Sequence, residues 1–102
     1  MYKLEYLPIA QQDMTEIARY ITRELANPEA AEKLSVELIE AADSISTFPY
    51  ANPAYIPIKP LVHEQRKLLA QNYLMFYRVN EKTKTVTVTR VIYARRDHEK
   101  LL

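Results

Sequence analysis

The chain contains no cysteine, which excludes disulfide staples, zinc ribbons and thiol nucleophiles. It has two histidines, His63 and His98, too few for a metal site of ordinary type. Glycine is absent as well. With it go the P-loop and the dinucleotide-binding fingerprint, because both bring backbone against phosphate in a way that only glycine permits. No metal and no small-molecule cofactor is therefore expected. The opening MYKLEYLPIA holds no apolar run of signal-peptide length, and no stretch approaches the roughly 20 apolar residues of a membrane span. The expectation is a cytoplasmic protein without a membrane partner.

What is present is the composition of one folded domain. The 102 residues are 48% hydrophobic and 26% charged, with no low-complexity tract, which sets the chain apart from disordered sequences. The formal net charge of +1 conceals an uneven distribution. Residues 1–58 carry four Lys/Arg against nine Asp/Glu, a net of −5, while residues 59–102 carry ten against four, a net of +6. Clustered positive charge of this kind suits a polyanion or an acidic partner. Mutual neutralisation of the two halves across the fold is the competing explanation.

Hydrophobic periodicity orders the elements. Residues 2–7 alternate as a short strand stopped by Pro8, which lacks the N–H a ladder needs. Met14, Ile17, Ala18, Ile21 and Leu25 then form one stripe of a helix over about residues 9–25, with Asp13, Glu16, Arg19 and Arg23 elsewhere on the wheel. Asn27-Pro28-Glu29 starts a second helix: an N-cap acceptor, a proline suited to the first turn and an early acid that complements the dipole. Its stripe is Ala31, Leu34, Leu38, Ala41 or Ala42, and Ile45, so the two helices make an antiparallel hairpin. FPYANPAYIPIKP, residues 48–60, holds four prolines and reads as an extended connection. Three β runs follow at 66–70, 73–79 and 85–93, with Gln71-Asn72 as a two-residue turn whose positive φ is expected at Asn72.

The order β-α-α-β-β-β predicts an α+β fold: a small, mainly antiparallel sheet in a single domain, with the helical hairpin packed on one face. The other face is expected to stay open for function. Arginine forks bind oxyanions bidentately and tyrosine adds a stacking surface, so Arg66, Arg78, Arg90, Tyr93, Arg95 and Arg96 are the candidate target-binding residues. Taken singly, each of the five arginines reads more readily as a solvated strand position or a salt-bridge partner; that all five fall within residues 66–96 favours the binding reading. As surface residues they are expected to be removable at a cost within about 0.5 kcal/mol. No serine has a plausible triad around it; His63, Glu64 and Lys67 are the candidate general bases. At the end, Asp97 reads as the N-cap of a short turn over residues 98–102, with Leu101 and Leu102 folding back over an apolar edge.

HEQRKL at residues 63–68, YLMFYRV at 73–79 and VIYARRD at 91–97, in this order of elements, resemble the RelE/ParE superfamily of toxins from bacterial type II toxin-antitoxin modules. The resemblance spans essentially the whole chain. It implies a growth-arresting toxin held silent by an antitoxin that wraps it. RelE-like members cut mRNA in the ribosome, and for that activity the resemblance maps catalytic roles onto Arg66, Tyr93 and Arg95. ParE-like members keep the fold and poison DNA gyrase instead. The ARRD ending and the two long helices are similar to the ParE branch, which makes gyrase the favoured target and ribosomal mRNA the alternative.

Overall fold

A computed structural model of the chain describes residues 1–54 and 64–95. His63, Arg96 and the turn expected after Asp97 lie outside the described residues. The elements run β1 (Lys3–Tyr6), α1 (Pro8–Arg23), α2 (Pro28–Thr47), β2 (Arg66–Ala70), β3 (Tyr73–Asn80) and β4 (Thr85–Tyr93). The sheet order is β1-β4-β3-β2, with β1 parallel to β4 and the other two pairings antiparallel. The expected α+β architecture is thus the observed one.

Local chemistry accounts for most of the boundaries. Pro8 ends β1 and at once serves as an early residue of α1, where its missing N–H would have been unpaired in any case. The Asn27 side chain accepts from the Ala30 N–H at 3.1 Å and so caps α2. With no glycine in the chain, the left-handed positions fall on Ala26 (φ 48°), Gln71 (φ 53°) and Lys84 (φ 52°). Each of these side chains adds a steric cost that glycine would avoid, about 1–2 kcal/mol. The positive φ of the β2–β3 turn therefore sits on Gln71, one residue before the expected Asn72.

The hairpin buries Leu34, Leu38, Ala42 and Ile45 of α2 and Ala10 and Ile21 of α1 against Met75, Tyr77, Val86, Val88 and Val91 of the sheet. At roughly 1.5–3 kcal/mol for each large aliphatic or aromatic side chain buried, this layer is the main stabilising feature of the domain. Strand alternation assigns the sheet's faces: Met75 and Tyr77 turn to the helices, so Leu74 and Phe76 turn away. The far face is nonetheless not bare, as the sequence reading expected, because Leu74, Phe76 and Ile92 there form a second buried cluster.

A β-bulge sets the end of the sheet. Phe76 pairs with Arg90 but Tyr77 pairs with Val88, which leaves Thr89 as the extra residue. Its hydroxyl lies 2.8 Å from Gln65 Oε1 and 3.2 Å from the Phe76 carbonyl. The bulge shifts the alternation of β4, so Val86, Val88 and Val91 all belong to the helix-side core.

Candidate functional site

The candidate residues separate into two places. Arg66 pairs with Tyr77 and Tyr93 pairs with Tyr73. These partners are four positions apart on β3, which puts Arg66 and Tyr93 roughly 13 Å apart along the strand direction, with β3 between their strands. Arg66, Tyr93 and Arg95 are therefore not gathered around one point.

Arg66 stands at one end, with its side chain 19% exposed. One arm of its fork donates to the Asn52 carbonyl at 2.6 Å, the other lies 3.4 Å from Glu64, and the guanidinium sits 4.8 Å from the centre of the Tyr50 ring. The same segment is held from beneath by the buried Tyr77 hydroxyl, which donates to the Pro49 carbonyl at 2.7 Å. Arg66 thus fastens the chain after α2 to the start of β2, where Ala54 bridges to it. This arginine is structural in its contacts, contrary to the expectation of a freely removable surface residue.

Beside it opens a cleft of about 520 Å³ lined by Arg66, Arg78, Lys82, Glu64, Glu81 and Tyr50, among others. Glu81 is the organising carboxylate. Tyr2 (2.5 Å) and Tyr50 both donate to its Oε1, and Lys84 donates to Oε2 at 2.6 Å while lying over the Tyr2 ring. Four parts of the chain meet here: the start of β1, the segment after α2, the β3–β4 hairpin and, through Tyr50, Arg66. The hydrogen bonds from Lys84, Tyr2 and Tyr50 pull the Glu81 carboxyl down to about 2, and accepting carboxylate in turn pushes the Tyr50 phenol up to about 12. Since the folded value lies below the ordinary 4.5, this contribution to stability is complete above about pH 4.5 and is lost as the pH falls from there towards 2. Glu81→Gln should accordingly be less stable than the parent at pH 7 and lose less on acidification. Parallel urea titrations at pH 7 and pH 3 measure this, and an unchanged difference between the two proteins at both pH values would contradict it.

Arg90 takes the salt-bridge role, not the target-binding one. Its Nε and Nη2 both donate to Asp13, each at 2.8 Å, and the two side chains are 14% and 11% exposed. Asp13 Oδ2 also accepts from the Val91 N–H at 3.0 Å. The reason is topological: β1 pairs with β4 only as far as Val88, and beyond that point α1 supplies the acceptor for the strand's edge. Arg90 is therefore a bridge between sheet and helix. Nothing in the spacing marked Asp13 as its partner, since the helical wheel places that residue at the margin of the apolar stripe.

At the other end of the strands lies a groove of about 790 Å³ between the tip of the helical hairpin and the start of β3. Glu16, Ile17, Tyr20, Leu25, Tyr73 and Tyr93 are among its lining residues. The rings of Tyr73 and Tyr93 meet edge to face with centres 5.6 Å apart. Burial pushes the Tyr73 phenol up, and the nearby Tyr93 and Tyr20 push it further. Tyr93 is 37% exposed and Tyr20 54%. Sequence reading found Tyr93 but missed Tyr20 and Tyr73, which converge on it only through the fold. Arg78 is half-buried in the first cleft, and Arg95 is exposed just past β4.

Among the described residues, no group of three or more histidines or carboxylates is placed to hold a metal ion, and no helix is long and apolar enough to cross a membrane.

A family model for the ParE toxin of the type II toxin-antitoxin system parDE matches residues 4–98. Among solved structures, the fold is shared with the chromosomal ParDE toxin-antitoxin system from P. aeruginosa at a TM-score of 0.75 and 18% identity, over 93% of this chain and 98% of that one. It is also shared with the RelBE2 toxin-antitoxin complex from Mycobacterium tuberculosis (TM-score 0.65, 16% identity, 90% and 96% of the two chains). The archaeal RelE-RelB complex from Pyrococcus horikoshii is similar too (TM-score 0.61, 14% identity, 94% and 98%). At these identities the likeness is one of fold. No curated protein matches the sequence significantly.

Proposed function

The chain belongs to the ParE toxin family of type II toxin-antitoxin systems, and from that premise we propose that it arrests growth by binding and disabling DNA gyrase. A place of action in the bacterial cytoplasm follows from that target. The observation that carries the reading is the separation of Arg66 from Tyr93, roughly 13 Å along the strands with β3 between them. A nuclease needs its phosphate-binding and proton-transferring groups within hydrogen-bond reach of one scissile bond.

A cognate antitoxin is the silencing partner, as in the toxin-antitoxin complexes that share the fold. Its acidic segment neutralises part of the +6 carried by residues 59–102. For target binding the natural candidates are the half-buried Arg78 in the cleft, the exposed Arg95 past the end of β4 and, by sequence alone, Arg96.

Purified toxin should inhibit gyrase supercoiling and leave mRNA intact on programmed ribosomes. Cleaved mRNA with unimpaired supercoiling would replace this reading with the RelE-like one. Arg78→Ala combined with Arg95→Ala should weaken gyrase inhibition by roughly 10-fold or more, the scale of losing a charge-assisted contact, with an unchanged circular dichroism spectrum.

A further inference from the structure

The groove at the hairpin tip has a chemistry that the gyrase reading does not use. Its aromatic surface comes from three separate elements: Tyr20 from α1, Tyr73 from the start of β3 and Tyr93 from the end of β4. Among the described residues, Asp13 and Glu16 are the charged residues in its lining, and no lysine or arginine lines it. Asp13 is already neutralised by Arg90, which leaves Glu16 as the carboxylate on offer at this rim. Glu16 is exposed, with a hydrogen bond from Gln12 on one oxygen at 3.1 Å. Beyond the groove the whole helical layer is acidic: α1 and α2 together carry seven Asp/Glu against three Lys/Arg, a net of −4. Ile17 and Leu25 add aliphatic wall, Leu25 being 57% exposed just past the end of α1.

A cluster of tyrosine faces beside a carboxylate, within an apolar recess, is the environment that attracts a cationic side chain. The ring quadrupoles and the carboxylate both favour it, and the aliphatic stem of arginine or lysine packs on the apolar wall. We propose that this groove receives an arginine or lysine of the antitoxin, flanked by an aliphatic residue, as an anchor separate from the acidic segment that faces the basic half of the toxin. The assignment rests on the antitoxin reading and is independent of the identity of the target. It makes the toxin's contact surface mixed in charge: the tyrosine-lined groove with Glu16 takes a cation, and the arginine-bearing surface, which includes Arg95 just past Tyr93, takes anions. The sequence's charge asymmetry acquires a function in this arrangement, since a partner with the opposite polarity along its length can dock in one direction only.

The probe is acetyl-Leu-Arg-amide titrated into ring-labelled toxin, with acetyl-Leu-citrulline-amide as the uncharged isostere. The arginine peptide should shift the Tyr20, Tyr73 and Tyr93 ring resonances saturably, and bind about threefold to tenfold more tightly than the citrulline peptide. Glu16→Gln, which keeps the size and the Gln12 hydrogen bond, should remove most of that preference without altering the circular dichroism spectrum. Tyr20→Leu should do the same through loss of the ring face. Equal binding of the two peptides, no saturable shift, or shifts confined to Tyr2 and Tyr50 would overturn the proposal. A full-length antitoxin that binds while the arginine peptide does not would remove this anchor and leave the toxin-antitoxin reading standing. Failure of both would count against the pair.

Discussion

Asp13→Ala lowers the stability of the domain by about 3 kcal/mol, and its melting temperature by roughly 12 to 24 °C. The bidentate pair with Arg90 is among the least exposed ionic contacts in the fold, at 11% and 14%. Removing the acid leaves a guanidinium largely shielded from water beside the second apolar cluster, and it also orphans the Val91 N–H that Asp13 accepts. Loss of the bidentate acceptor in that setting costs far more than the net worth of the pair, because the desolvation of the guanidinium is no longer offset in full. The double variant Asp13→Leu with Arg90→Met removes both charges and should recover most of the loss. It should not recover all of it, since the Val91 N–H stays without its acceptor, at about 1–3 kcal/mol if water cannot reach it. Thermal unfolding of the three proteins decides the matter. A loss below about 1 kcal/mol for Asp13→Ala would mean that Arg90 reaches water easily, and that it belongs with the exposed cations after all.

The second large effect concerns Arg66, and it changes how toxicity data are to be interpreted. Arg66→Ala should cost roughly 1.5–3 kcal/mol, the range for a charge-assisted hydrogen bond, because it frees the Asn52 carbonyl and leaves the Tyr50 ring without its cation. Arg66→Lys should recover little: a point charge cannot hold Asn52 and Glu64 from one planar fork while lying over a ring. Arg78→Ala, by contrast, should stay within about 0.5 kcal/mol. Loss of growth arrest in an Arg66 variant would then reflect a loosened segment after α2 as readily as a lost target contact. Denaturant midpoints for the Arg66 and Arg78 variants separate the two effects, and equal midpoints would show Arg66 to be as dispensable as the sequence first suggested.

Most of the element order was open to reading because it rests on interactions a few residues long. The i, i+3, i+4 stripe of Leu34, Leu38 and Ile45 repeats at the period of the helix whatever it packs against, and all three are buried. The Asn27-Pro28-Glu29 start works through a hydrogen bond spanning three residues, and that bond is present. Proline placed the ends of β1 for the same local reason. The family likeness came from the same layer of information, since it depends on the order of elements and on short runs within strands.

What only the tertiary structure decided is how side chains from distant elements meet. Arg90 and Asp13 are 77 positions apart, and their contact follows from β1 ending at Tyr6, opposite Val88, and from the bulge at Thr89. No periodicity encodes a bulge, because a one-residue slip preserves local composition while exchanging the faces of everything after it. The positive φ at Gln71 was likewise set by how β2 and β3 pair, against the intrinsic preference for Asn72. The grouping of arginines by their place in the last third of the sequence gave way for the same reason: the segment after α2 brings Tyr50 beside Arg66 and α1 brings Asp13 beside Arg90, while Tyr93 joins Tyr20 and Tyr73 at the opposite end. Sequence proximity fixes which strand a charge rides on; strand order and register fix what it faces.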